Sequence, residues 1–190
     1  MKSIIFDLDD TLYASKELRG RREKALLDFL GRKAEKYTEL RKTHTTLQSL
    51  SLLGISKEKF FDIMESIQIN LKKDLMLRRM LNKLSSDYEL IVLSNSSSLC
   101  VIETLKKLGV LDLFDRYYGG DCFKNTKPHE ECFSMVKKGD ICVGNNFKKD
   151  LLMPKKKAAV TVLVSNEKSS DADFTIKNIY ELSKVIKKLK

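Results

Sequence analysis

The chain has 190 residues, enough for one sizeable core with room for a small second module. A hydrophobic fraction of 42% and a charged fraction of 33% exclude a disordered chain. No apolar run approaches the roughly 18 residues of a membrane-spanning helix, so no membrane partner is expected.

The first predicted element is a strand. Ile4, Ile5 and Phe6 form a short apolar run between Lys2-Ser3 and a set of carboxylates. Such a run predicts a buried strand of a parallel sheet, apolar on both faces. Asp7, Asp9 and Asp10 follow at once, and ligands of open α/β sheets bind outside the carboxyl ends of the strands. Three acids so close repel one another unless a cation sits among them, so a metal is the economical explanation.

After Tyr13 the pattern turns helical for about seventy residues. Leu26, Leu30, Ala34 and Tyr37 mark one amphipathic helix by their spacings of four and three. Leu47, Leu50 and Leu53 mark a shorter one ending at Gly54, and Phe60, Met64, Ile67 and Leu71 a third with Ser56 as its N-cap. Residues 14–80 are therefore expected to form a helical insert, with 1–13 and 81–190 as the core. Strands then alternate with helices: Leu90–Leu93, a helix through Leu108 stopped by Gly109, Ile141–Val143, Val160–Val164, and a short edge strand Phe174–Ile176. A last helix carries Ile179, Leu182, Ile186 and Leu189 on one face. The alternation predicts an α/β fold with a doubly wound parallel sheet.

The formal charge of +10 is uneven, with sixteen basic against nine acidic residues between positions 13 and 80. It favours an anionic partner, either a phosphorylated metabolite or nucleic acid. Cys100, Cys122, Cys132 and Cys142 form no C-x-x-C pair, which predicts reduced thiols. With no signal-peptide pattern at the N-terminus, a cytoplasmic location is expected.

Polar clusters follow three of the strands: the acids after Phe6, Ser94-Asn95 after Leu93, and Asn145 through Asp150 after Val143. Lys127-Pro128 lies between the second and third. In this order they resemble the four motifs of the haloacid dehalogenase (HAD) superfamily of phosphohydrolases. The first is Asp7-Leu8-Asp9-Asp10-Thr11 and the fourth Gly144 through Asp150. The resemblance covers the whole chain, since the helical insert sits where many members carry a cap. Within the superfamily the chain looks most like the pyrimidine 5′-nucleotidase group, through Leu12-Tyr13, the Thr45-Thr46-Leu47 segment and Leu108 to Asp115. His44 stands where that group usually has glycine.

The resemblance implies a Mg²⁺-dependent phosphomonoester hydrolase acting on a small phosphorylated metabolite, such as a pyrimidine nucleoside 5′-monophosphate. Asp7 would be the nucleophile that forms an aspartyl-phosphate, and Asp9 the general acid and base. Ser94 and Asn95 would hold phosphoryl oxygens, and Lys127 would offset their charge. His44, Thr45 and Thr46 would contact the substrate from the cap. Mg²⁺ would be held by Asp7, the Asp9 carbonyl, Asn145 and Asp150. Two positions depart from the family pattern: Asn145 replaces an acid, and Ala158-Ala159 stands where a glycine is usual. With the basic charge, the loss of that acid gives an alternative reading, a catalytically weakened HAD fold serving as a basic RNA- or ribonucleoprotein-binding module.

Overall fold

The computed structural model describes residues 1–189; Lys190, the last residue of the expected core segment, lies outside them. Six strands form one parallel sheet: β1 (Lys2–Phe6), β2 (Tyr88–Leu93), β3 (Arg116–Tyr118), β4 (Ile141–Gly144), β5 (Val160–Val164) and β6 (Phe174–Ile176). Their order is β3-β2-β1-β4-β5-β6. The chain winds outward from β1 in one direction and from β4 in the other, with Ile4 opposite both Leu90 and Ile141. This is the expected doubly wound α/β fold, and the reversal between β1 and β4 opens a crevice beyond their carboxyl ends.

The helices are α1 (Lys16–Leu30), α2 (Ala34–Leu40), α3 (Thr46–Leu52), α4 (Lys57–Glu65), α5 (Leu75–Leu84), α6 (Ser98–Leu108), α7 (Leu152–Lys156) and α8 (Leu182–Leu189). The period-two alternation of the strands sorts the core into two clusters. Ile4, Phe6, Leu90, Val92, Ile141 and Val143 share one cluster with the apolar stripes of α5, α6 and α8. Ile5, Ile91, Leu93, Cys142 and Leu163 share the other with Phe133 and Leu151. In α5 the stripe is Leu77, Met80, Leu81 and Leu84, a spacing that places all four on one helical face.

The chain divides into two compact units, one of Met1–Ala14 with the chain from Leu71 onward, the other Ser15–Asn70. The boundary expected at residue 80 thus moves to residue 70. The reason is α5, whose buried stripe belongs to the sheet's own core. Within the second unit α1 packs on α2 and α4, and α3 packs on α2 and α4. The helix expected across Leu30 and Ala34 is broken at Gly31, whose φ of 51° no helix interior accepts. The third predicted helix ends at Glu65, so Ile67 and Leu71 lie outside it, and Phe61 is buried in place of Phe60. Ser56 caps it through the Lys59 amide at 3.2 Å. None of the four cysteines is in a disulfide, and Cys122 alone among them is exposed.

Candidate active site

Asp7 leaves the end of β1, its amide bonded to the Val143 carbonyl of β4 at 2.8 Å, which seats it at the crevice. Its side chain is almost fully buried and receives two bonds. Lys127 Nζ donates to Oδ1 at 2.7 Å, and Thr11 Oγ1 donates to Oδ2 at 2.8 Å. The backbone turns back immediately, because Asp10 takes a left-handed φ of 60°, a conformation that aspartate tolerates better than most residues.

Lys127 is 2% exposed, and its ammonium is shared among three oxygens. It bonds Asp7 Oδ1, lies 2.8 Å from Asp150 Oδ1, and donates to the Leu93 carbonyl at 2.8 Å. Burial opposes its charge, but Asp150 and Asp7 outweigh burial and hold the lysine above its ordinary range. Burial pushes the Asp150 carboxyl up, against the pull of Lys127. The underside of the cluster is apolar, lined by Ile5, Phe133, Cys142 and Val143. Electrostatic interactions are strong in such surroundings.

Asn95 is bonded to the backbone of Lys127. Its Oδ1 accepts from the Lys127 amide at 2.8 Å, and its Nδ2 donates to the Lys127 carbonyl at 3.0 Å. Both ends of the amide grip the lysine backbone, so Asn95 holds Lys127 in place with one of its two Nδ2 hydrogens. Ser94 is buried; its Oγ accepts from the Ser96 amide at 3.0 Å, which leaves the hydroxyl hydrogen to donate to a ligand. Asp9 is half-buried, with Oδ1 bonded by Tyr13 Oη at 2.5 Å and Oδ2 by Ser96 Oγ at 2.8 Å.

Asp150 sits in a wide turn, Phe147–Leu151, that follows β4. Its Oδ2 accepts from the Asn146 amide at 3.1 Å. The approach is so close that a Cβ on Gly144 would lie 2.5 Å from the Asp150 Cβ, so only glycine fits there. Among the described residues no three His, Cys, Asp or Glu side chains form a metal cluster. The oxygens nevertheless suit a hard cation. Asn145 Oδ1 is buried and accepts no hydrogen bond, and buried Asp150 Oδ1 meets only the ammonium groups of Lys127 at 2.8 Å and Lys149 at 3.9 Å. The fit rests on the oxygen donor set, which is what Mg²⁺ prefers.

The remaining predicted residues belong to the second unit. Thr45 is the N-cap of α3, accepting from the Gln48 amide at 3.3 Å while Gln48 Oε1 accepts from the Thr45 amide at 3.0 Å. Its hydroxyl oxygen is thus engaged in a capping box. Thr46 begins the helix, and exposed His44 shares its Nδ1 with Thr43 Oγ1 at 2.8 Å while Arg41 donates to its carbonyl. Ser96 is a site residue that the motifs do not include, and Thr11 and Tyr13, though within the segments that carry the resemblance, receive no role from it. The hydroxyls four residues after Asp7 and after Asp9 were the available signal.

The sheet order, the acids after its first strand and the buried lysine that bridges to the acid after β4 are shared with one known class of protein, the HAD-like family. Residues 4–139 match the model of the haloacid dehalogenase-like hydrolase family, and the chain belongs to that family. The matched stretch ends before Gly144–Asp150. Among solved structures the chain is similar to a HAD phosphatase from Thermococcus onnurineus, with 20% identity over 98% of each chain and a TM-score of 0.69. It is similar to a β-phosphoglucomutase from Clostridium difficile, with 19% identity over 99% of this chain and 96% of the other and a TM-score of 0.70. It is also similar to the magnesium-bound HAD-hydrolase YfnB from Bacillus subtilis, at 14% identity over 98% of each chain and a TM-score of 0.67. A search of curated proteins finds no match. No helix among the described residues is long and apolar enough to cross a membrane.

Proposed function

We propose that this chain is a Mg²⁺-dependent phosphomonoesterase that works through an aspartyl-phosphate on Asp7. The observation that carries the reading is the buried Lys127 ammonium, held 2.7 Å from the Asp7 carboxylate, beside a second acid tethered by two hydroxyls. Neither the family match nor the site supports the alternative of a basic RNA-binding module.

In the first step an Asp7 oxygen attacks phosphorus, the bond to the leaving oxygen breaks, and protonated Asp9 delivers its proton to that oxygen. In the second step Asp9 takes a proton from water as the water attacks phosphorus and the bond to Asp7 breaks. Ser94 donates to a phosphoryl oxygen, and Lys127 balances the charge gathered around Asp7. Asp7, the Asp9 carbonyl, Asn145 and Asp150 would hold Mg²⁺, which when bound draws the phosphoryl oxygens into place and offsets their charge. The substrate is a small phosphorylated metabolite, and the Thr45-Thr46-Leu47 resemblance favours a pyrimidine nucleoside 5′-monophosphate.

The test is phosphate release from 4-nitrophenyl phosphate and from a panel of nucleotides, with and without Mg²⁺. Wild type is expected to need Mg²⁺, and Asp7→Asn to be inactive while still folded. Equal rates for the two proteins would remove the catalytic reading. Calorimetry with Asn145→Asp is expected to show tighter Mg²⁺ binding, because a carboxylate returns where an amide now stands. Thr46→Ala is expected to raise KM for the pyrimidine nucleotide and leave the aryl ester unchanged.

A further inference from the structure

Building on the phosphatase reading, we infer that Tyr13 and Ser96 form a clamp on Asp9 that fixes the acid–base group and so determines how poor a leaving group the enzyme can expel. Both are positioning residues that act through Asp9.

The clamp closes on both carboxylate oxygens, with Tyr13 Oη on Oδ1 at 2.5 Å and Ser96 Oγ on Oδ2 at 2.8 Å. Each jaw is itself anchored. The Tyr13 ring packs against the core cluster that contains Phe6 and Leu12, so its hydroxyl cannot drift. Ser96 donates its amide to Ser94 Oγ at 3.0 Å and accepts from the Gly120 amide at 2.8 Å. One residue therefore aims the Ser94 hydroxyl hydrogen outward and sets the plane of Asp9. The serine-rich run is divided among distinct tasks: Asn95 holds the backbone of Lys127, Ser97 caps α6, and Ser98 bonds Asp121.

An isolated aspartate side chain samples several rotamers, and only some place an oxygen near the leaving group. Two bonds to anchored hydroxyls remove that freedom before substrate arrives. The benefit depends on the substrate. An alkoxide leaving group must be protonated as the P–O bond breaks, whereas 4-nitrophenolate departs without help. Loss of a jaw should therefore steepen the dependence of kcat/KM on leaving-group pKa, without a general loss of activity.

The experiment measures kcat and KM across a series from 4-nitrophenyl phosphate through phenyl phosphate to glycerol phosphate. The proteins are wild type, Tyr13→Phe, Ser96→Ala, Ser96→Thr and Asp9→Asn, with thermal unfolding as the control for folding. Tyr13→Phe and Ser96→Ala are each expected to lower kcat/KM for glycerol phosphate about tenfold, the worth of a hydrogen bond to a charged group. The nitrophenyl ester should change less than about threefold and KM should stay constant. Ser96→Thr keeps the hydroxyl and should behave as wild type. In the Asp9→Asn background Tyr13→Phe should have no further effect, since a clamp with nothing to hold is silent. Equal losses for every ester, or a full additional loss in that background, would overturn the clamp. If wild type itself released no phosphate, or Asp7→Asn matched it, the phosphatase reading would fail and the clamp with it. An active wild type with an unchanged slope in both single variants would sink the clamp alone.

Discussion

Lys127 and Arg78 make nearly the same set of bonds in opposite surroundings. Lys127 holds two carboxylates and the Leu93 carbonyl at 2.7–2.8 Å with 2% of its side chain exposed. Arg78 holds both oxygens of Asp112 and the Gly109 carbonyl at 2.6–2.7 Å with 42% exposed. Water competes for every bond of the arginine and for none of the lysine. Arg78 and Asp112 line a groove of about 570 Å³ with Lys73, Asp74 and Lys106. The difference shows that bond lengths do not rank ion pairs; desolvation does. The buried set constrains charge so tightly that it serves chemistry, while the exposed set is a surface fastening.

The largest expected effect is the loss of the buried cation. Lys127→Met leaves two desolvated carboxylates together and should cost about 3–5 kcal/mol in urea unfolding, along with phosphate release. A change below about 1 kcal/mol would put Lys127 in the same class as Arg78. Gly144→Ala attacks the same set from below, since the new methyl meets Asp150 Cβ at 2.5 Å. Overpacking there should cost roughly 1–3 kcal/mol and weaken Mg²⁺ binding by calorimetry, because Asp150 must move.

Ala158 offers a gain. Its φ of 56° is a left-handed conformation that Cβ opposes, at the position where the family usually has glycine. Ala158→Gly should raise stability by about 0.5–1 kcal/mol. Loss of stability in that variant would show that the strain is relaxed by other means.

Glu89 lies between the two extremes. The Arg116 guanidinium at 2.7 Å, with help from Ser3, holds its carboxyl below the ordinary value of 4.5. A depressed acid stabilises the fold above its unfolded value and ceases to do so as pH falls through its folded value. Glu89→Gln should therefore cost roughly half a kcal/mol at neutral pH, small because Arg116 is solvent-screened, and progressively less below pH 4.5. A difference that grew on acidification would reverse the assignment. At the small end, Arg78→Ala should leave the thermal midpoint within the scatter of repeats.

The sheet was legible because buried parallel strands are written as continuous apolar runs, and β1, β2, β4 and β5 carry one. β3 escapes this reading: Arg116-Tyr117-Tyr118 is an edge strand with no apolar run of its own. At the site, sequence separates Asp7 from Lys127 and Asp150 by more than a hundred residues, and the motif order alone draws attention to them. Asn95 shows the limit of that approach. Its type suits a phosphoryl contact, and only the structure reveals its two bonds to the Lys127 backbone. Thr45 has the same ambiguity, because a threonine three residues before Gln48 reads equally as a ligand or a helix cap.

The placement of β1 has a consequence for how the chain comes together. β1 leaves the ribosome before the other strands, yet both strands that flank it come late. Ser3 meets Glu89 across 86 residues and Asp140 across 137. Closing a loop costs about 0.6 kcal/mol more for each doubling of its length, so the stretch Ser15–Asn70 delays the first pairing. The helices of that stretch make nearby contacts and can close while β1 is still waiting. Until β2 and β4 arrive, Ile4-Ile5-Phe6 is an unpaired apolar strand of the sort that seeks other chains. The strand at the middle of the finished sheet is the one left longest without a neighbour.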